Sequence, residues 1–407
     1  MAKKILAVVL AVMLVLTSLA ACGNKTNTDA ENTLKIGVIL VGDENEGYTY
    51  AHIKGIKDAA KALGIADSNI LWKYTVPEDQ TCHDAAVDLV ENGCELIFSN
   101  SYGHQDFMKA AAMEHPEVTF VAMTGDTAKA SGLPNFCNAF TNVYESRYVS
   151  GVVAGMKIAE LVADGKLTDA NYEDGKVKVG YVGAHPYAEV VSGYTAFYLG
   201  IKSVYPDVMM KVSYTGSWFD IVKEGEAANA FLADGCVIIG QHADSTGAPA
   251  AVEAAAKNGT VAYSVGYNID MLSVAPTVAL TSATNNWSVY YTEAIKSFMD
   301  GNGVPTNWAK GYSEDAVAIT DLGPACAEGT AEKVAEVEAA LKDGTLNVFD
   351  TATFTVEGNV VTSAFATDTD GDFVPDADEA VFDGYYHESY FQSAPSFQLR
   401  IDGIVEE

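Results

Sequence analysis

Short apolar runs and longer amphipathic stretches alternate along the chain. LKIGVIL (34–40) is an unbroken apolar run rich in β-branched residues, the pattern of a strand buried on both faces. Residues 50–63 carry apolar side chains at helical spacing and stop at Gly64, a residue type that closes helices by taking a left-handed backbone. A strand over 70–74, a helix over 82–92, the strand ELIFSN, a helix over 106–114 and the strand VTFVAMTG follow in order. The pattern then restarts. Residues 144–163 read as a long helix in which SGVVAG offers small residues for close packing, and KVKVGYVG (176–183) is a second opening strand. After it come a helix over 190–204, MMKVSYTG, a helix over 224–233, CVIIGQ, a helix over 248–258, and the strands TVAYSVGY and TVALTSAT. This alternation predicts an α/β fold with parallel sheets, and the two sets predict two Rossmann-like lobes. Residues 331–342 read as a further helix, with later strands expected to complete the second lobe and its edge.

The first residues carry a different message. Lys3 and Lys4 precede an apolar run over 5–16, then Thr17, Ser18 and LAAC ending at Cys22. A basic start, a short apolar run and small residues describe a secretory signal, and the run is shorter than the roughly 20 residues that a bilayer span needs. Leu19-Ala20-Ala21-Cys22 resembles the lipobox of bacterial lipoproteins, in which the cysteine is lipidated and becomes the first mature residue. The expectation is a signal peptide over 1–21, lipidation of Cys22 and a polar tether over 22–33. The protein would then be held by lipid alone on the extracytoplasmic face of the cell membrane.

Charge and cysteine usage narrow the function classes. Lys and Arg number 24 against 55 Asp and Glu, a net charge of -31 spread along the chain. That excludes nucleic acid and anionic lipid surfaces as partners, since both need basic patches. Cys82, Cys94, Cys137, Cys236 and Cys326 form no CxxC or zinc spacing and read as small buried hydrophobes. The chain carries no HExxH, GxSxG or P-loop, and no base stands beside a nucleophile. The reading is a binding protein without cofactor, not an enzyme.

In doubly wound sheets a ligand lies beyond the carboxyl ends of the strands. The loops there are VGDENEGYTY, SNSYGHQD, MTGDTA, VGAHPYAE, TGSWFD, GQHADST, VGYNID and LTSATNNW. They present aromatics, Asp, Asn and His with few cations, which suits a neutral planar ligand held by stacking and hydrogen bonds. Tyr48 and Trp218 follow strand-end glycines and precede helices, which places them in the cleft rather than in a core. Phe197 and Tyr198, at helical spacing with Tyr194, read as core. His52 and His242 are candidate contacts, whereas His83, His104 and His115 read as surface or helix positions.

The stretches YVGAHPYAEVVSGYTAFYLGIKSVYPD, TGSWFDIVKEGEAANAFLADG, GQHADSTGAPAA and NVYESRYVSGVVAG resemble the BMP family of lipoprotein solute-binding components of ABC transporters, of the purine nucleoside receptor A type. The likeness runs over about 35–323. It implies a type I periplasmic-binding fold, two lobes joined by three crossovers and closing by a hinge. The N-terminal lobe is expected over 34–143 and 275–317, the C-terminal lobe over 144–274 and 318–407. The resemblance further implies a monomer that holds a purine nucleoside or base between two aromatic rings and passes it to an ABC permease.

Carried onto this sequence, the first ring falls on Tyr48 and the second on Trp218 or Phe219, with Phe219 expected to pack behind Trp218. Asp43 and Thr49 fall where base or ribose contacts are made, with Tyr50 and Ser101 on neighbouring loop positions. His242, Asp244 and Asn268 lie on facing loops, and Asp220 serves as a nearby polar contact or a helix cap. Two positions depart from the family. Asn268 stands where nucleoside-binding members place an Asp that grips the ribose, and Asn285 where they carry a Lys. Each lost charge-assisted contact is worth about 1.5–3 kcal/mol. Tyr267 and Trp287 add bulk near the sugar space, so a free nucleobase is favoured over a nucleoside. A membrane-tethered sensor that docks on a signalling partner is the alternative, because one binding fold serves both roles.

One acidic run competes as a site. In DTDGDFVPDADE, Asp368, Asp370, Asp372, Asp376 and Glu379 occupy positions one, three, five, nine and twelve of a calcium loop. Phe373 holds the sixth position, where the sharp turn wants Gly. An acidic surface loop is therefore the preferred reading and calcium the secondary one.

Overall fold

The opening apolar run forms β1 (Ile36–Ile39), all four residues buried. The computed structural model describes residues 34–407 except Asp370, Gly371 and Phe373. The expected signal peptide, Cys22 and the tether lie outside the described residues.

Beyond β1, the first lobe continues through α1 (Gly47–Leu63), β2 (Ile70–Lys73), α2 (Gln80–Glu91), β3 (Leu96–Ser99), α3 (Gln105–Glu114), β4 (Thr119–Met123), α4 (Ala128–Ser131) and β5 (Phe136–Thr141). β1 pairs in parallel with β2 on one side and β3 on the other, Ile36 lying opposite both Ile70 and Leu96. The second lobe begins with α5 (Val143–Ala163), then β6 (Tyr172–Glu173), β7 (Lys176–Gly183), α6 (Ala188–Val204), β8 (Val208–Tyr214), α7 (Ile221–Asp234), β9 (Ile238–Gln241), α8 (Gly247–Lys257) and β10 (Tyr263–Tyr267). Helices α5 and α6 pack through small residues. A Cβ at Gly151 would stand 2.1 Å from the Phe197 carbonyl oxygen, and one at Gly200 2.1 Å from that of Tyr148. Only glycine lets these backbones approach so closely.

The chain then shuttles. β11 (Ala279–Asn285) pairs with β10, α9 (Trp287–Met299) buries Trp287, Tyr290 and Tyr291 in the first-lobe core, and β12 (Asn307–Lys310) joins the first sheet beside β5. β13 (Val317–Ile319) returns to lie antiparallel to β11. The first sheet has the order β12-β5-β4-β3-β1-β2. The second runs β13-β11-β10-β9-β7-β8-β18, where β18 (Ile404–Glu406) pairs in parallel with β8. The lobes are thus joined by three crossovers, between β5 and α5, β11 and α9, and β12 and β13.

This corrects the expected lobe boundaries. The segment 275–317 is divided between lobes: Ala279–Asn285 belongs to the second sheet, and only α9 and β12 belong to the first lobe. An apolar strand pattern states that a segment is a strand but not which sheet it joins, because hydrogen-bonding partners are distant in sequence.

After α10 (Thr330–Lys342) two small hairpins form, β14 (Phe365–Thr367) with β15 (Ala377–Glu379) and β16 (Val381–Phe382) with β17 (Tyr385–Tyr386). The described residues of the acidic run lie at the first hairpin, and Asp370, one of the five candidate calcium ligands, lies outside the described residues. There Asp376 accepts from Thr369, and Glu379 accepts from the Ala364 and Val381 amides. Among the described residues no group of three or more His, Cys, Asp or Glu is placed to hold a metal. The five described cysteines are free thiols, four of them buried. Among the described residues no helix is long and apolar enough to cross a membrane.

Candidate functional site

The carboxyl ends of the strands in both sheets face one another across the cleft, and the loops there enclose a cavity. The first lobe lines it with Val41, Glu46, Tyr48, Asn100, Ser101, Tyr102 and Thr124, the second with Glu189, Trp218, His242, Asp244 and Tyr267. Its volume is about 20 Å³, enough for one water and far below the roughly 300–1,000 Å³ of a ligand pocket. The lobes stand closed over it, so admitting a ring requires them to part.

Helix α1 begins at Gly47, three residues before the sequence pattern places it. Tyr48 and Thr49 therefore sit in its first turn. The Tyr48 hydroxyl donates to the Asn100 carbonyl, and its ring packs edge-on to His52. Thr49 donates to the Glu46 carboxyl and accepts from Asn100 Nδ2 at 3.2 Å. Asn100 in turn accepts from the Val41 amide at 2.8 Å. From the other lobe, Trp218 meets the cavity with His185, Tyr187 and His242 around its ring at 4.9, 6.0 and 6.4 Å.

The charge pattern beneath is unusual. Glu46, Glu189 and Asp244 all reach the cavity, and Glu224 lies buried behind Asp244. Burial raises the Asp244 carboxyl well above the ordinary range, and Glu46, Glu224 and Glu189 nearby add repulsion. Burial likewise raises Glu46, and it pushes Glu224 up to about 7. The buried cation among them is Arg147 on α5, whose guanidinium lies 3.6 Å over the Tyr267 ring and donates to the Gln241 carbonyl. Its Nε and Nη2 have no hydrogen-bond acceptor among the described residues. Desolvation, reinforced by Arg147, lowers His242 to about 4. The ring is therefore neutral near pH 7, and its Nε2 lies 3.2 Å from Glu189.

The structure places the sequence-predicted residues unevenly. Tyr48, Ser101, Trp218, His242, Asp244 and Tyr267 line the cavity. Thr49 stands one bond behind it. Asp43 instead turns its own loop, accepting from the Asn45 amide at 2.9 Å, and Tyr50 is exposed and lines a separate pocket with Asn268 and Asn285. Asp220 caps α7, accepting from the Val222 and Lys223 amides at 3.1 and 3.0 Å. Asn268 and Asn285 form an amide chain behind the wall: Asn268 donates to Asp244 at 2.7 Å, Asn285 donates to Asn268 at 3.1 Å and accepts from Thr141.

Three expectations about neighbouring residues are corrected. Phe219 is 43% exposed rather than packed behind Trp218, because the loop turns outward before the α7 cap. His52 is sealed in the first-lobe core, stacked on Trp287 and bonded to Tyr291. The Trp287 ring is consumed by that stack rather than by a sugar space. His104 takes the helix position expected of it, in the short turn Tyr102–His104 ahead of α3, and is buried there with its ring 3.0 Å from the Val76 carbonyl. The lining residues that sequence reasoning passed over are Val41, Glu46, Asn100, Tyr102, Thr124 and Glu189. All six lie on the strand-end loops already singled out. What the sequence lacks is a signal for which side chain turns inward.

Comparison with known proteins gives the chain its family. The family model described as ABC transporter substrate-binding protein PnrA-like matches residues 33–348. A purine-binding protein of Brucella abortus is 34% identical over 323 residues, covering 79% of this chain and 84% of its own. A putative ABC transporter glucose-binding protein of Haloferax volcanii is 30% identical over 341 residues, covering 83% and 78%. Among solved structures, a solute-binding protein of an ABC transporter system from Conexibacter woesei aligns with a TM-score of 0.60 at 20% identity, over 77% of this chain and 98% of its own. That likeness carries the fold, the type I periplasmic-binding architecture. The chain belongs to the BMP family, the PnrA-like substrate-binding proteins of ABC transporters.

Proposed function

We propose that this protein captures a flat, donor-rich heterocycle, a purine base in preference to its nucleoside, and delivers it to an ABC permease by hinge closure. The observation that carries this reading is the composition of the cavity wall. Tyr48 and Trp218 come from opposite lobes, carboxyl groups of Glu46, Glu189 and Asp244 share the wall with them, and among the described residues no Lys or Arg lines the space. Aromatic faces suit a planar ring, and carboxylates accept hydrogen bonds from ring N–H and amino groups. The printed name of the Brucella abortus relative points the same way. Asn268 and Asn285 spend their amides on Asp244, on Thr141 and on each other, which supports a site without a charged ribose grip.

Calorimetric titration with adenine, guanine, hypoxanthine, xanthine, adenosine, guanosine and glucose tests the reading. The amino-bearing bases should bind tightest, with xanthine weaker by about tenfold or more because it has no amino group and turns two carbonyl oxygens toward a wall rich in acceptor oxygens. Glucose binding ahead of every purine, or no purine binding below about 1 mM, overturns it. The extracytoplasmic position rests on Cys22 as lipid attachment. Cys22→Ser should move the protein from the membrane fraction into the soluble fraction; unchanged membrane association would remove the anchor from the proposal.

A further inference from the structure

Residues 349–407 lie beyond the family match, and they are rooted in the second lobe. Phe349, Phe354, Tyr386, Phe397 and Ile401 are buried in its core, Phe349 and Phe397 stacking at 4.4 Å, and β18 extends its sheet. Between Tyr386 and Phe397, however, the chain leaves that lobe and crosses the cleft. Ser393 is fully buried and donates to the Gly125 carbonyl of the first lobe at 3.1 Å. Ala394 joins the first-lobe core. Lys129 on α4 donates to the Phe391 carbonyl at 3.3 Å and lies 5.9 Å from its ring. The two ends of the crossing are tied to each other, Glu388 accepting from the Ser396 and Phe397 amides and the Tyr386 hydroxyl lying 2.9 Å from Ser396 Oγ, and both are rooted in the second lobe by Tyr386 and Phe397 in its core.

The same crossing roofs a larger chamber of about 450 Å³, walled by Tyr102, Asp126, Tyr187, Gln392, Pro395 and Gln398 among others. Tyr102, Thr124 and Glu189 line both this chamber and the ligand cavity. The three crossovers of the fold let the lobes hinge. A contact between the lobes made outside those three crossovers opposes that motion, since opening must break it.

We propose that the segment 388–396 is a latch, a fourth and non-covalent connection that holds the lobes closed and guards the chamber beside the ligand cavity. Ser393, Phe391 and Lys129 are positioning residues for the closed form. The inference rests on hinge closure as the mode of capture but not on the identity of the ligand.

Truncation would strip Phe349, Phe397 and β18 from the second-lobe core, so single substitutions are the proper test. Hydrogen–deuterium exchange of the ligand-free full chain would compare wild type with Ser393→Ala and with Lys129→Met, the latter on the first lobe and outside the extension. In both variants, exchange in the strand-end loops at 100–104, 124–127 and 242–245 should accelerate by about fivefold, the factor expected from one lost hydrogen bond. Exchange in β1 and β7 should stay at the wild-type rate. Unchanged loop exchange in both variants, or equal acceleration in loops and core strands, overturns the latch. Because no ligand is present, a failure of the purine reading in calorimetry leaves this outcome independent.

Discussion

Trp218→Ala should weaken adenine binding by about 30–150-fold, or about 2–3 kcal/mol, in isothermal titration. The figure follows from what the ring supplies. It is half-buried at the cavity, with its neighbours His185, Tyr187 and His242 at 4.9–6.4 Å leaving one side toward the cavity. A planar ligand closing against it buries on the order of 100 Å² of aromatic surface at about 25 cal/mol per Å². Stacking geometry adds about 0.5–1.5 kcal/mol, part of which is lost again to imperfect coverage. Trp218→Phe keeps a ring and should retain affinity within about fivefold. Phe219→Ala provides the matched control, because that ring is 43% exposed and directed away from the cavity. Its adenine affinity should stay at the wild-type value. A Trp218→Ala protein that binds adenine as tightly as wild type would refute the aromatic wall.

Arg147→Met should cost about 3–5 kcal/mol of folding stability near pH 8, measured by urea unfolding. Arg147 is 2% exposed, stacked on Tyr267, and it opposes the repulsion among Glu46, Glu189, Glu224 and Asp244. Methionine fills the volume and preserves the contact with the ring but leaves those carboxyl groups without their buried counter-charge. The loss should shrink on acidification, and the sign follows from proton linkage. Asp244, Glu46 and Glu224 have folded-state pKa values raised above their unfolded values. Such groups contribute stability that is fully present below the unfolded pKa and is lost as pH rises through the folded one. Removing Arg147 raises Asp244 further, because the guanidinium is the neighbour that lowers it. It also lifts part of the depression on His242. The variant should therefore lie closer to wild type near about pH 5.5 than near about pH 8. A pH-independent deficit would show that Arg147 acts by packing and its hydrogen bond to Gln241 alone.

Most of the architecture is legible before any coordinates. Strand and helix positions along 34–123, 144–285 and 331–342 follow from local periodicity, because a strand buried on both faces must be apolar throughout and a helix packed on one must be apolar on one stripe; β5, α9, β12 and β13, which make the edge of the first sheet and the later crossovers, are missing from that reading. The close pairing of α5 with α6 is foreshadowed by SGVVAG. The strand-end loops are identifiable too, since the ligand face of a parallel sheet is set by chain direction. Tyr48, Trp218 and Asp244 can thus be named from their positions after strands.

Other features depend on distances between residues far apart in sequence. The sheet that receives β11 is chosen by pairing with β10 and β13, and nothing in TVALTSAT states that choice. Glu46 and Glu189 are ordinary loop acids by sequence. They become lining residues because closure brings two lobes' loops within one cavity and withdraws water from both. Asp43 and Glu46 lie three residues apart in one acidic loop, yet only the start of α1 at Gly47 decides which one turns inward. The crossing of 388–396 is equally silent in the sequence, since a serine and an alanine there gain meaning only from Gly125 and the first-lobe core opposite them. By itself, the sequence determined most of the elements, the two-lobed class and the chemistry available on the cleft loops, because those are encoded in local period and composition. The tertiary structure alone decided lobe membership, inward-facing carboxylates and the contact across the rim, because each depends on which surfaces meet and exclude water.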